Sequence, residues 1–262
     1  MNLEQITPLI LTYNEEPNLG RTLDRLTWAA QILVLDSFST DATVDIARSY
    51  PNVTVVQRAF DDHATQWSHG ASLITQPWVL ALDADYVLGE GFENEFRSLK
   101  HESIIDAYTA SFRYLIYGEP LGSSLYPPRV VLFRQSRCHF ERDGHTQRLC
   151  AKGETAPLRS CIDHDDRKPL TRWVISQDKY ALLEAEKISS ASFRALPFQD
   201  RIRRTMILGP ITIFFYTLLV RGTLFDGWAG WFYTFQRTLA EIMLSLRLLE
   251  KRINGSPAPS RS

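Results

Sequence analysis

The sequence predicts an α/β fold with a mostly parallel, Rossmann-like sheet and a mainly helical C-terminal region. Three observations support this prediction: strand-like and helix-like segments alternate over the first hundred residues, polar residues follow three of the strand-like runs, and the pattern becomes helical from residue 170. A chain of 262 residues suits one large domain or a domain with an appendage. We predict an α/β domain at residues 1–165, a helical, amphipathic region at 166–254 and a disordered tail at 255–262.

The composition and net charge limit the classes of protein, partner and location that are consistent with this sequence. Apolar residues make up 44% of the chain and charged residues 23%, as in a soluble globular protein with a core. The formal net charge of −1 provides no global field for nucleic acid, so we expect no nucleic-acid partner. The N-terminus lacks the basic start and long apolar core of a secretory signal, and the spacing of Cys138, Cys150 and Cys161 matches no disulfide framework or zinc motif. These features predict reduced thiols and a cytoplasmic location.

Short apolar runs with β-branched residues predict four buried strands, each followed by a helix or a turn. After the first run, Asn14 is a candidate helix cap and Pro17 suits an early helical position. Four strand-helix units in series favour a parallel sheet covered by helices on both faces. The four predicted strands are Ile6–Thr12, 31–36, Val53–Gln57 and Trp78–Asp83.

Polar residues follow the first, second and fourth predicted strands, where parallel sheets bind ligands. Glu15 comes after the first strand, Asp36 ends the second, and Asp83 and Asp85 stand at the end of the fourth. The two aspartates offer the oxygen ligands that Mg²⁺ or Mn²⁺ prefers, and such an ion neutralises a departing diphosphate. The sequence therefore predicts a site with a divalent metal cofactor at this edge.

The second half of the chain has a different pattern. Residues 107–117 and Arg129–Arg134 predict strands of mixed direction, and either Arg129 or Arg134 is a candidate diphosphate contact or ion-pair partner. Residues 206–220 carry no charge, lie between arginines and precede an aromatic cluster. This run is shorter than the about 20 residues that a bilayer span needs, so two interpretations stay open: a packed helix, or peripheral contact with the membrane surface.

Three blocks of the sequence, LILTYNEEPNL, LVLDSFSTDATVDIA and WVLALDADY, occur in the order and at the spacing of family 2 glycosyltransferases, which the chain resembles. YPPRVVLFR and LFDGWAGWFYTF are similar to segments of the branch that includes lipopolysaccharide core glucosyltransferases. The resemblance implies the nucleotide-sugar-binding GT-A fold and inverting, metal-dependent transfer of a sugar. It also implies a nucleotide-sugar donor, UDP-linked by family likeness, and a cell-envelope or lipid-linked glycan acceptor at the cytoplasmic face of the membrane.

The resemblance also implies roles for residues near the donor nucleotide. Thr12, Tyr13 and Glu15 would line the pocket for base and ribose. Asp36 would accept a hydrogen bond from the base, as suits a carboxylate facing an imide or amide N–H. A phosphate contact is implied on the third helix, at Gln66 or at His69, although the arginine-asparagine pair of many relatives is missing there.

The metal ligands and the general base follow from the same resemblance. Asp85 would be the principal metal ligand, Asp83 would contact the ribose or the metal, and His164 is a candidate metal ligand or phosphate contact. Inversion needs one base to deprotonate the acceptor hydroxyl, and Asp143 and then His145 are our candidates. Relatives with a His-Glu pair would align at His145, but the glutamate is absent here.

Three other interpretations remain open. Asp83 and Asp85, with Asp165 and Asp166 as a later acidic pair, also fit the pattern of a haloacid dehalogenase-type phosphatase, although three strand-helix units precede the first pair. A nucleotidyltransferase would need a glycine-rich, basic loop after the first strand, which this chain lacks. The missing glutamate leaves a catalytically inactive GT-A binding protein as the third alternative.

Overall fold

The structure, a computed structural model, describes residues 1–100, 104–143 and 146–254, with the backbone alone at residues 142, 143, 146 and 147. The predicted tail at 255–262 lies outside the described residues. The chain divides into two compact units. The first comprises Met1–Glu119 and Tyr126–Lys168, and the second comprises Pro120–Leu125 and the chain from Pro169 onward.

Eleven strands and eight α-helices follow one another along the described part of the chain. The strands are β1 Ile6–Thr12, β2 Ile32–Asp36, β3 Val53–Gln57, β4 Trp78–Asp83, β5 Tyr86–Leu88, β6 Ile105–Ile116, β7 Glu119–Pro120, β8 Arg129–Arg134, β9 Cys138–Asp143, β10 Thr146–Ala151 and β11 Glu154–His164. The helices are α1 Leu19–Asp24, α2 Thr43–Arg48, α3 His63–Ser72, α4 Phe92–Ser98, α5 Leu170–Ser190, α6 Phe198–Arg204, α7 Leu208–Phe215 and α8 Gly227–Asn254.

The main sheet confirms the predicted α/β fold. Its strands follow the order β3-β2-β1-β4-β8-β6-β11-β5 among the described residues. The first four pair in parallel, while β8 pairs antiparallel with both β4 and β6, so the predicted change to mixed direction is also confirmed. Strand β5 is short and pairs antiparallel with β11, which runs parallel to β6. The pairing of β11 with β5 sets His164 opposite Tyr86, the first residue of β5.

The first strands are buried on both faces, which explains why they read as continuous apolar runs rather than alternating ones. Ile10 packs into the apolar cluster on one face of the sheet, and Leu9 packs into the cluster on the other. Gly70 brings α3 close to β1, because a Cβ atom there would lie 2.8 Å from a methyl carbon of Leu9. The parallel strands are thus fixed from both sides, and their carboxyl ends point to one edge.

The prediction that Asn14 caps the first helix was wrong. Helix α1 begins at Leu19, and Asn14 instead adopts a left-handed conformation with φ of 55°. Its side-chain oxygen accepts a hydrogen bond of 2.7 Å from the backbone N–H of Thr40 in the neighbouring loop. Asparagine tolerates this conformation better than most residues. The residue therefore joins the loops after β1 and β2, and does not start a helix.

The second unit is helical. Helices α5 and α8 enclose an apolar core that includes Ala185, Ile188 and Leu244. A partly buried ion pair of 2.7 Å joins Arg203 to Glu241. The uncharged run predicted to pack or to touch a membrane forms α7 and a π-helical turn, Tyr216–Val220. Among the helices of the described ranges, each is too short or too polar to cross a bilayer.

Candidate active site

The acidic pair lies where β4 ends and β5 begins. Asp83 is the last residue of β4, and Asp85 immediately precedes β5. The antiparallel pairing of β5 with β11 sets His164 opposite Tyr86, one residue beyond Asp85. His164 Nε2 lies 3.2 Å from Asp85 Oδ2. The structure therefore brings together two of the predicted metal-site residues, although they are far apart in the sequence.

Two atoms of this cluster lack a partner in the described part of the chain. Asp85 Oδ1 and His164 Nδ1 are both buried, and neither makes a hydrogen bond. Buried polar atoms are normally hydrogen-bonded, so an orphaned carboxylate oxygen requires an explanation such as an ion. A carboxylate and an imidazole nitrogen both suit a divalent cation, so these residues fit the predicted metal.

The charges of the cluster support the same interpretation. Burial raises the pKa of Asp83, and the neighbouring carboxylate of Asp85 raises it further. Burial would also raise the pKa of Asp85, but the imidazole of His164 beside it holds that pKa below its usual value. Two carboxylates therefore crowd one buried place, where a cation between them would relieve their repulsion.

Aromatic rings hold His164 in position. The ring of Tyr126 lies edge-on at 4.5 Å between centroids, and Tyr86 and Tyr114 lie at 5.2 and 4.7 Å. The hydroxyls of Tyr86 and Tyr126 are hydrogen-bonded to each other. Arg129 lies 5.1 Å above the ring of Tyr126, which places its guanidinium beside the cluster. A rigid aromatic wall thus surrounds the imidazole on several sides.

The second candidate arginine has a different environment. Arg134 lies 3.5 Å from the buried carboxylate of Asp106 and stacks over Trp78 at 4.6 Å. Arg134 therefore forms an ion pair, whereas Arg129 stacks on Tyr126, whose ring contacts His164.

Asp36 organises the loops beside the site. The hydroxyl of Thr12 donates to its Oδ1 at 2.9 Å, as the register of β1 with β2 allows. Its Oδ2 accepts bonds of 2.9 Å from the backbone N–H of Ser39 and 3.0 Å from Gln57 Nε2. Asp36 is fully buried. A base could reach this carboxylate only if one of these donors moved away, so its predicted hydrogen bond to the base stays a prediction.

Glu15 and Tyr13 have contrasting surroundings. The side chain of Tyr13 is 55% exposed. Glu15 is mostly buried, with Lys168 Nζ at 2.7 Å and the amide of Asn18 at 2.9 Å. Burial raises the pKa of Glu15 to about 7 despite the opposing charge of Lys168, and the nearby carboxylate of Asp85 adds to the increase. Glu15 therefore belongs to the same electrostatic cluster as the acidic pair.

The loop that follows β11 completes the cluster, although the sequence had indicated only its Asp165 and Asp166, as the acidic pair of the phosphatase alternative. Arg21 Nη1 lies 2.7 Å from Asp165 Oδ2, and Arg167 pairs with the same oxygen at 2.8 Å. Asn18 donates to Asp166 at 3.0 Å. A run of charged residues reads as a solvated loop, and only its position directly after His164 could have indicated a role. Because two arginines hold Asp165, it does not act as the free acid that the phosphatase interpretation needs.

Replacing Lys168 by methionine is expected to lower the free energy of unfolding by about 2 kcal/mol, because Glu15 would lose its buried counter-ion. The cost stays below that of a fully buried pair, because Glu15 can take up a proton. Urea denaturation measures it, with the exposed Lys152→Met as the control, expected within about 0.5 kcal/mol of wild type. If Lys168→Met costs as much in a Glu15→Gln background, the pair is not the cause.

The remaining predicted residues are distributed as follows. Asp143 is the last residue of β9, but its side chain lies outside the described residues, as does all of His145. Gln66 is buried and donates to the hydroxyl of Ser37 at 3.1 Å, so it fastens α3 to the loop after β2. His63, at the start of α3, is the histidine of this helix whose charge lowers the pKa of Asp83.

The chain is thus an α/β protein with a buried acidic cluster at the carboxyl ends of parallel strands, and the residues of this cluster suit a divalent cation. Residues 9–95 match the family model described as glycosyl transferase family 2. This matched segment contains Glu15, Asp36, Asp83 and Asp85.

Two curated relatives extend the comparison. An uncharacterized glycosyltransferase of Rickettsia typhi is 28% identical over 109 residues, which cover 41% of this chain and 37% of the relative. The lipopolysaccharide core biosynthesis glycosyltransferase LpsC of Rhizobium meliloti is 22% identical over 191 residues, covering 70% of this chain and 71% of LpsC. The chain thus aligns with little more than a third of the Rickettsia protein's length.

A solved structure supports the fold. The crystal structure of S. aureus TarS 1-349 in complex with UDP-GlcNAc is similar to this chain with a TM-score of 0.50 at 13% identity. The similarity covers 97% of this chain and 93% of that one. At this identity the likeness shows the GT-A fold alone.

Proposed function

We propose that this chain is an inverting, metal-dependent glycosyltransferase that moves a sugar from a nucleotide-sugar, UDP-linked in our proposal, to a cell-envelope or lipid-linked glycan. The observation that carries the proposal is the cluster of Asp83, Asp85 and His164, with two orphaned buried atoms at the carboxyl ends of the sheet. The match of residues 9–95 to the glycosyl transferase family 2 model supports the reaction class. The name of LpsC supports an acceptor in lipopolysaccharide core biosynthesis.

In the proposed mechanism, Asp85 and His164 hold the divalent ion, with Asp83 beside them. The bound ion supplies a Lewis acid for the diphosphate leaving group. Arg129, whose guanidinium lies next to the cluster at Tyr126, offers a further positive charge for the same phosphates. The aromatic rings around His164 would exclude water from the reacting bond. In such a buried site, interactions between charged groups are stronger than they are in water.

The donor nucleotide is proposed to lie along the loops after β1 and β2. Tyr13 offers an exposed ring for the base, and Glu15, held by Lys168, faces the ribose side of the cluster. Thr12 and Asp36 fix the floor of this pocket through their mutual hydrogen bond. Asp143 or His145 is proposed as the base that removes the proton from the acceptor hydroxyl, opposite the leaving nucleotide.

A panel of nucleotide-sugars tests the proposal. With Mn²⁺ present, the true donor is expected to raise the melting temperature with its saturation, because ligands that bind only the folded state stabilise it by mass action. Without Mn²⁺ the same donor should give a much smaller shift. The absence of a metal-dependent shift with any nucleotide-sugar would contradict the proposed site. Donor binding with neither transfer nor donor hydrolysis would favour the inactive binding protein instead.

The acceptor is proposed to be met at the membrane surface, on the cytoplasmic side. Phe225 is 86% exposed and Trp228 is 57% exposed, next to the apolar α7 and its π-helical turn. Arg221 and the arginines of α6 lie at the two ends of this apolar run. Exposed aromatic residues with neighbouring cations suit the boundary between headgroups and acyl chains of an anionic bilayer.

Sedimentation with vesicles containing anionic phospholipid tests this surface. The double substitution of Phe225 and Trp228 by glutamate is expected to reduce the vesicle-bound fraction at least about tenfold, because charged side chains resist burial in the interface. Ile175→Glu on α5, where the wild-type residue is 55% exposed, is the matched control and should pellet like wild type. Equal pelleting of the double variant and wild type would remove the membrane proposal and leave the sugar-transfer proposal standing.

A further inference from the structure

The hairpin of β9 and β10 has a polar face that the proposed function does not use. In the described part of the chain these strands pair only with each other, as a separate two-stranded sheet. Phe140 and Leu149 pack from one face onto the apolar cluster at α3, and Phe140 stacks on Trp67 at 5.8 Å. Because side chains alternate along a strand, His139, Glu141 and Cys150 share the other face.

The register brings these three residues into one cluster. Cys150 pairs directly with His139 across the hairpin, and Glu141 follows His139 two positions along the same strand. His139 Nε2 lies 3.1 Å from Glu141 Oε1, and one ligand atom from each of the three residues lies within 4.8 Å of the others. Ligand atoms around a tetrahedral zinc ion are about 3.3 to 3.8 Å apart, as follows from metal-ligand lengths of about 2.0 to 2.3 Å. Small rotations of these partly exposed side chains suffice to reach that spacing.

We propose that the outer face of the β9–β10 hairpin binds a zinc ion through His139, Glu141 and Cys150, with a fourth position open to water. Imidazole, carboxylate and thiolate form the mixed ligand set that suits zinc, whereas the cluster at Asp85 suits a harder ion. On binding, Cys150 Sγ loses its proton to solvent as the bond from sulfur to zinc forms, so no other reactant is needed.

Arg148 interacts with two of the three candidate ligands. Its guanidinium lies 3.3 Å from Glu141 Oε2, whereas Oε1 faces His139, and it also interacts with the side chain of Cys150. One carboxylate oxygen can therefore keep the arginine while the other binds metal, and the ion would replace the arginine at the thiolate. With a carboxylate and a thiolate as ligands, the charge of a divalent ion is balanced within the cluster.

The ion would stabilise a segment that needs support. An isolated two-stranded hairpin is marginally stable, and within the described residues this one packs through one face on the apolar cluster at α3. A metal bound by His139, Glu141 and Cys150 would join residues of both strands. The strands lead into and out of residues 144–145 in the sequence, next to the candidate bases Asp143 and His145. The hairpin ion would therefore hold the strands that carry the proposed acceptor base.

Cobalt substitution tests the site without any activity assay. Co²⁺ added to the metal-free full chain is expected to give a near-ultraviolet sulfur-to-cobalt charge-transfer band at one equivalent, and Zn²⁺ should remove it while excess Mg²⁺ should not. Cys150→Ser should abolish the band. Cys138→Ser and Cys161→Ser are the matched controls, because these free thiols lie outside the cluster, and both should keep it.

Further variants identify the residues that bind the ion and distinguish this site from the proposed metal site at Asp85. His139→Gln and Glu141→Gln are each expected to weaken Co²⁺ binding by about tenfold or more. Asp85→Asn should leave the band unchanged, so a failure of the proposed catalytic site would not affect this result. Absence of a band, its survival in Cys150→Ser, or unchanged affinity in both His139→Gln and Glu141→Gln would each overturn the proposal.

Discussion

Replacing Asp85 by asparagine is expected to lower the rate of sugar transfer by about 10³-fold, the scale of removing one preorganised electrostatic group from a buried site. The amide keeps the shape of the side chain but removes the charge that would hold the ion beside His164. The donor found in the thermal panel serves as substrate, and the metal-dependent shift should disappear with the activity. An unchanged shift would contradict the metal assignment.

The same substitution also removes the attraction between Asp85 and His164, which holds the pKa of Asp85 below its usual value. It relieves the repulsion between Asp85 and Asp83, whose pKa Asp85 raises. Because these two effects oppose each other, circular dichroism at the assay temperature is measured with the activity, and the variant is expected to remain folded there. Asp163→Asn is the matched control, because Asp163 is adjacent to His164 but pairs with the exposed Arg113 at 2.7 Å. Its ion pair is worth less than about 1 kcal/mol, and transfer should stay near the wild-type rate.

Replacing Gly230 by alanine is expected to lower the free energy of unfolding by about 3 kcal/mol, at the upper end of the cost of overpacking. A Cβ atom at this position would lie 1.8 Å from the carbonyl oxygen of Thr223 and 2.8 Å from its carbonyl carbon. Both are backbone atoms, so the start of α8 would have to move away from the turn Thr223–Phe225. Urea denaturation followed by circular dichroism measures the loss.

Gly20→Ala is the matched control for this prediction. Gly20 also lies in a helix, but the nearest atoms to an added Cβ are Tyr50 Oη at 3.8 Å and Ile46 Cγ2 at 3.9 Å. Alanine should fit there and favour the helix by up to about 1 kcal/mol. Equal stability of the two variants would mean that α8 does not approach Thr223 as closely as the structure shows.

Strands whose bounds depend only on their own residues could be predicted from the sequence. Strands β1, β3 and β4 begin and end where the sequence predicted. For β1 and β4 the reason is that strands buried on both faces consist mainly of apolar residues, and for β3 it is the run of β-branched residues. The position of Asp83 and Asp85 at a strand end followed from the same pattern. The end of a buried strand is a local property, so the sequence alone was sufficient for it.

Features that depend on distant pairing could not be predicted in the same way. His164 was a candidate from family likeness alone, and its contact with Asp85 depends on the register of β5 with β11. Asn14 was wrongly predicted as a cap because Thr40, its partner, lies in another loop. Lys168 was missed because a charged run gives no sign of burial, and its ion pair with Glu15 forms only after the loop folds back.

The late position of His164 has a consequence for synthesis. Ribosomes add about 5 to 20 residues per second, so the strands that present Asp83 emerge several seconds before β11 does. Until β11 pairs with β5, Asp85 has no imidazole beside it. The contact between Asp85 and His164 can therefore form only after residue 164 has been added to the nascent chain.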